Sequence, residues 1–107
     1  MKIEVLYVPD CPHHPAALLR LHEILTAEGV AAAIHQVAVS NLAMAKALRF
    51  CGSPTIRING RDVEGESKDL GNFAMSCRLY PGATEAGVPP VEMIRRAVRE
   101  ARATENS

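Results

Sequence analysis

Cys11, His13 and His14 lie almost side by side in the stretch VPDCPHHPAALL, residues 8–19. A thiol and two imidazoles so close together suit thiol–disulfide exchange or the binding of a soft metal ion. The nucleophile in thiol exchange is the thiolate. A helix start favours it, because the unpaired N–H groups of the first turn and the helix dipole attract negative charge. Pro12 suits the first helical position, since it lacks an N–H that would go unpaired there anyway. A protonated histidine on the same turn, His13 or His14, adds positive charge beside the sulfur. The plain alternative is that Cys11 is a small buried residue and the histidines are solvated. Two further thiols, Cys51 and Cys77, complete the set. Three is an odd number, so at least one thiol stays unpaired in a monomer.

These residues have to be positioned by the elements around them. Residues 2–8 (KIEVLYV) are apolar on both alternating sets, as in a central strand covered on both faces. From Pro12 to Glu28 the period becomes helical, with Leu18, Leu21, Ile24 and Leu25 on one side and Gly29 as the stop. Residues 30–39 are read as a strand. Ser40 is expected to cap a helix over 41–50, which Gly52 ends. Residues 54–64 hold two short alternating runs around Asn59-Gly60, a dipeptide preferred in two-residue hairpin turns. After residues 65–88, Pro89-Pro90 lead into a last helix with Val91, Ile94, Val98 and Ala101 as its apolar stripe. The order is β-α-β-α-β-β-α with a right-handed βαβ first half, the order of a minimal thioredoxin fold with a four-stranded mixed sheet.

The chain of 107 residues reads as one small domain, and 48% hydrophobic residues suffice for an ordinary core. The formal net charge is zero, which argues against a nucleic-acid partner. Arg95, Arg96, Arg99 and Arg102 cluster late, but glutamates interleave with them, as on a solvated helix face. No targeting segment is visible, and no stretch approaches the ~20 apolar residues of a membrane span. The expectation is therefore a cytoplasmic protein with no membrane partner and no cofactor. Cysteines in that compartment are normally reduced.

Two blocks carry a resemblance to a known family: Cys11-Pro12-His13-His14 at the first strand–helix junction, and Gly52-Ser53-Pro54-Thr55 at the opening of the hairpin. Together they resemble the thioredoxin-like superfamily over residues 1–64 and 89–102. The resemblance implies a cis-proline at Pro54, opposite a nucleophile at Cys11. It also implies that the backbone of Ser53 is offered to an extended substrate as an added strand, with Pro12, His13 and Thr55 beside it. The alternative for Pro54 is an ordinary trans-proline at the start of an edge strand. One departure matters. His14 stands where a second cysteine would be, so this is not a conventional dithiol centre. The late block CRLYPG, residues 77–82, followed by Pro89-Pro90 is similar to small bacterial thioredoxin-like proteins, some labelled alkylmercury-lyase-like.

Residues 65–88 are an insertion relative to the minimal fold, and Phe73, Met75, Leu79 and Tyr80 are too apolar for a free linker. A helical turn is expected near residues 69–75. The insertion leaves the sheet at the end where Cys11 lies, so Cys77 is a candidate resolving thiol, with Cys51 also near. Catalysis is expected from Cys11, His14, Pro54 and Cys77. Three functions remain in view. The first is thiol–disulfide exchange with one motif cysteine, acting on protein or small-molecule partners such as glutathione. The second is soft-metal binding (copper, zinc or mercury) by Cys11, His14, Cys51 and Cys77, with an alkylmercury-lyase-like activity as a special case. The third is a non-catalytic thioredoxin-fold interaction module. An ion pair between Glu4 and Arg57 is also expected, because both are charged residues in covered strands that should lie side by side.

Overall fold

A computed structural model describes residues 1–50, 52–65, 78, 80, 82–84 and 87–105. The element order is β1 (Ile3–Tyr7), α1 (His14–Ala27), β2 (Ile34–Ala38), α2 (Leu42–Ala47), β3 (Thr55–Ile58), β4 (Arg61–Asp62) and α3 (Val91–Glu105). The strands form one mixed sheet in the order β2-β1-β3-β4. β1 runs parallel to β2, with Ile3 opposite Ile34, and antiparallel to β3, with Val5 opposite Ile56. This is the expected α/β architecture, a minimal thioredoxin fold. Cys51, Cys77 and the helical turn expected near residues 69–75 lie outside the described residues.

The two-residue period of β1 divides the core. Ile3 and Val5 face α1 and α3, packing with Leu21, Ile24, Ile56, Ile94 and Val98. Leu6 faces the other way, into a smaller cluster with Val39, Ala45 and Phe50. The hairpin turns at Asn59 and Gly60, whose φ values of 53° and 82° are the two positive dihedrals of a type I′ turn. In the last helix Ile94 and Val98 are buried as the stripe requires, Met93 joins them, and Val91 stays exposed.

Several local expectations are corrected. α1 begins at His14 rather than Pro12, which lies in the turn before it; Pro15 takes the early helical position suited to proline. Asn41, not Ser40, caps α2: its side chain accepts from the Met44 N–H at 2.8 Å. α2 also ends before Gly52. Arg49 takes the left-handed conformation (φ 53°), and the Phe50 N–H reaches back to the Ala45 carbonyl at 2.8 Å. The Arg49 N–H bonds the Lys46 carbonyl at 3.2 Å, completing a Schellman ending without glycine.

Glu4 and Arg57 are direct register partners, as the strand pairing requires. They do not form the expected ion pair. Arg57 Nη2 donates instead to the carbonyls of Leu48 and Arg49, at 2.6 and 2.9 Å. A helix end presents carbonyls with no partner of their own, and a cation within reach satisfies them. The late arginines are likewise more than a solvated face. Arg99 Nε donates to the Glu28 carboxylate at 2.8 Å, and Arg102 donates to the Glu28 carbonyl, fastening α3 to the end of α1. The Arg99 hydrogen bond holds the Glu28 carboxyl below its ordinary value. Burial opposes this, and the charges of Arg99, Arg102 and Arg95 add to it.

Candidate thiol site

Cys11 lies in the loop that follows β1. Its thiol is free and partly exposed, between exposed Asp10 and Pro12. The loop is held by backbone bonds: the Cys11 N–H donates to the Val8 carbonyl at 3.0 Å, and the His14 N–H to the Cys11 carbonyl at 3.4 Å. Val8 also connects the two halves of the site, because its own N–H donates to Ser53 Oγ at 3.0 Å. The Ser53–Pro54 peptide bond is cis, as expected. One residue therefore joins the cysteine loop to the proline loop.

α1 starts without a side-chain cap, since His13 makes no capping hydrogen bond and the first turn holds no acidic residue. Of the first-turn amides, the His14 N–H already bonds the Cys11 carbonyl, and Pro15 has none to offer. The two histidines are engaged elsewhere. The His14 ring stacks on Tyr7, centroids 3.9 Å apart and planes 3° from parallel. Its Nε2 shares a 2.9 Å hydrogen bond with Gln36 Oε1 on β2. His13 lies against Gly87, just before α3. A Cβ on Gly87 would stand 2.5 Å from His13 Cδ2 and 2.6 Å from Cγ. Gly87 also has φ +75°, which side chains rarely adopt. Gly87→Ala is therefore expected to destabilise the protein by about 2 kcal/mol in urea unfolding. Adding His13→Ala should recover part of that loss by opening the contact. Strictly additive losses would show that the contact contributes nothing.

The proline side of the site is densely bonded. Ser53, Pro54 and Thr55 are all buried. Thr55 Oγ1 donates to the Gly52 carbonyl at 2.6 Å and accepts from Arg78 Nη1 at 3.2 Å. The Arg78 N–H donates to the Ser53 carbonyl at 3.0 Å, and the Tyr80 hydroxyl donates to the Pro54 carbonyl. The Arg78 side chain is only 7% exposed. It grips Asp62 at 2.6 and 2.9 Å, has Glu64 at 3.5 Å, and lies 4.4 Å from the centre of the Tyr80 ring. Burial works against its charge, but the hydrogen bond to Asp62 and the negative partners more than offset this and hold Arg78 above its ordinary value.

The structure thus joins Cys11 to Ser53 and Pro54 through Val8, turns the rings of His14 and His13 onto Tyr7 and Gly87, and encloses Thr55. Cys51 and Cys77 lie outside the described residues. Among the described residues, no three His, Cys, Asp or Glu side chains come together as a metal site. Sequence reasoning missed Val8, Tyr7, Gln36, Asp62, Arg78 and Gly87. The one available hint was Arg78 itself, a charged residue between Cys77 and Leu79 in an otherwise apolar run.

Fold and site define a small α/β domain with a partly exposed free thiol after its first strand. No protein-family model, curated protein or solved structure matches the chain. Among the described residues, no helix is long and apolar enough to cross a membrane.

Proposed function

We propose that the protein is a thioredoxin-like thiol–disulfide exchange protein that works with a single motif cysteine, Cys11. The observation that supports this reading is the bonded chain from Cys11 through Val8 to Ser53, which ties the loop of a free, partly exposed cysteine to the proline loop.

In the proposed reaction the Cys11 thiolate attacks one sulfur of a disulfide. The old S–S bond breaks, the departing sulfur keeps the electron pair, and Cys11 is left in a mixed disulfide. A second thiol then releases Cys11 by the same exchange. That thiol is Cys77 in our reading; without it, glutathione or a similar small thiol does the work. The proposed setting is the cytoplasm, where thiols stay reduced.

The test is competitive alkylation of the reduced protein near neutral pH, followed by mass spectrometry under native and oxidising conditions. Cys11 should label before Cys51 and Cys77, and mild oxidation should give an adduct or disulfide at Cys11 that Cys11→Ser abolishes. Bound copper, zinc or mercury, lost together with Cys11 and His14, would favour the soft-metal reading instead. Cys11 labelling no faster than the other two thiols would leave the non-catalytic interaction module.

A further inference from the structure

We propose that the chain's own Arg78 and Tyr80 occupy the backbone edge at Ser53 and Pro54, so that the Cys11 centre takes small disulfides such as glutathione disulfide and excludes extended polypeptides. This rests on the thiol-exchange reading above and specifies its substrate class.

A polypeptide that docks as an added strand needs free backbone N–H and C=O groups on the receiving edge. Here the two edge carbonyls, those of Ser53 and Pro54, are already bonded. The Ser53 carbonyl accepts from the Arg78 N–H at 3.0 Å, which is the bond a docking strand would have to make. The Pro54 carbonyl accepts from the Tyr80 hydroxyl. The Ser53 hydroxyl accepts from the Val8 N–H at 3.0 Å. Ser53 is 1% exposed and Tyr80 5%.

The occupant is also anchored. For Arg78 to leave, its guanidinium must give up both hydrogen bonds to Asp62, at 2.6 and 2.9 Å, and its contact with Thr55 Oγ1. Paired charged hydrogen bonds of this kind are among the strongest a side chain makes. The Asp62 carboxylate, itself largely buried, would be left without its main partner. The other side of the site is open. Cys11 is partly exposed, and Pro9, Asp10 and Pro12 beside it are exposed. In this proposal a tripeptide-sized disulfide approaches from that side and needs no bond to the edge that Arg78 fills. The Cys11 thiolate then takes one glutathionyl sulfur, the glutathione S–S bond breaks, and the second glutathione leaves as thiolate and is protonated by water.

The experiment uses the full chain, reduced, with two activated mixed disulfides that share a thionitrobenzoate leaving group. One carries glutathione and the other an unstructured peptide of about eight residues, the length of an ordinary strand. Release of the coloured leaving group gives the rates, the adduct at Cys11 is read by peptide mass, and both rates are divided by those of free N-acetylcysteine. The glutathione probe should react about tenfold faster than the peptide probe. Arg78→Ala should close most of that gap by speeding the peptide alone. If circular dichroism shows that this variant does not fold, Tyr80→Phe takes its place and should speed the peptide probe severalfold. Equal normalised rates in the unaltered protein would overturn the proposal, as would a gap unchanged in the folded variant. Those results with a fast Cys11 leave the thiol-exchange reading standing. Two rates both below that of free N-acetylcysteine would withdraw that reading and the proposal together.

Discussion

Phe50→Ala is expected to destabilise the fold by about 4 kcal/mol, measured by urea unfolding followed by far-ultraviolet circular dichroism. Phe50 has no exposed surface and packs with Leu6, Val39 and Ala45 beneath α2. It is the one aromatic side chain in that cluster, so no neighbour of similar size can move in to fill the space. The loss combines the transfer of a large ring back to water with the cavity left behind. Phe50 also lies just ahead of the site. Its N–H completes the ending of α2, and Val8, which bonds both Cys11 and Ser53, packs on the same cluster. Phe50→Leu keeps most of the volume and should lose only about 1 kcal/mol. A loss below about 1 kcal/mol for Phe50→Ala would mean that the cluster collapses onto the vacancy, contrary to its close packing.

Asp62→Ala is expected to lose about 3 kcal/mol in the same measurement. The substitution strands the Arg78 side chain, 7% exposed, without its two shortest charged hydrogen bonds. Glu64, 3.5 Å from Arg78 Nη2, remains to compensate part of the charge, which sets the expectation near the low end for a broken buried pair. The double variant Asp62→Ala, Arg78→Met should lose less than Asp62→Ala alone. It leaves no buried charge, and methionine can still pack on the Tyr80 ring. A double variant as unstable as the single would show instead that the Arg78 contacts to Thr55 and Tyr80, rather than the charge pair, hold the segment in place.

The site was legible in part. Cys11 and Pro54 could be picked out because each sits at the junction of two elements whose patterns change sharply, from alternation to helical period and from helix to hairpin. His14 was expected to act on Cys11, but its ring lies flat on Tyr7 and bonds Gln36. Nothing local marks that contact, since Gln36 arrives on a strand that follows the whole of α1. Arg57 was expected to meet Glu4, its register partner, and found helix-end carbonyls instead. The pairing rule was correct about position but did not weigh a competing acceptor brought in by α2.

What the sequence by itself determined about this protein is whatever depends on neighbours a few residues away. The alternation of Ile3, Val5 and Leu6 decides which faces of β1 are covered, because successive side chains in a strand point to opposite sides. Asn59-Gly60 makes the hairpin, because both residues tolerate positive φ. Tertiary structure alone decided which polar groups meet. Arg78 finds Asp62 and the Ser53 carbonyl across sequence separations of 16 and 25 residues. A cation or a carbonyl in the sequence shows only that a partner is required once it is buried. Which partner it gets depends on the elements that pack around it, because hydrogen bonds act over about 3 Å and the chain can bring many candidates to that distance.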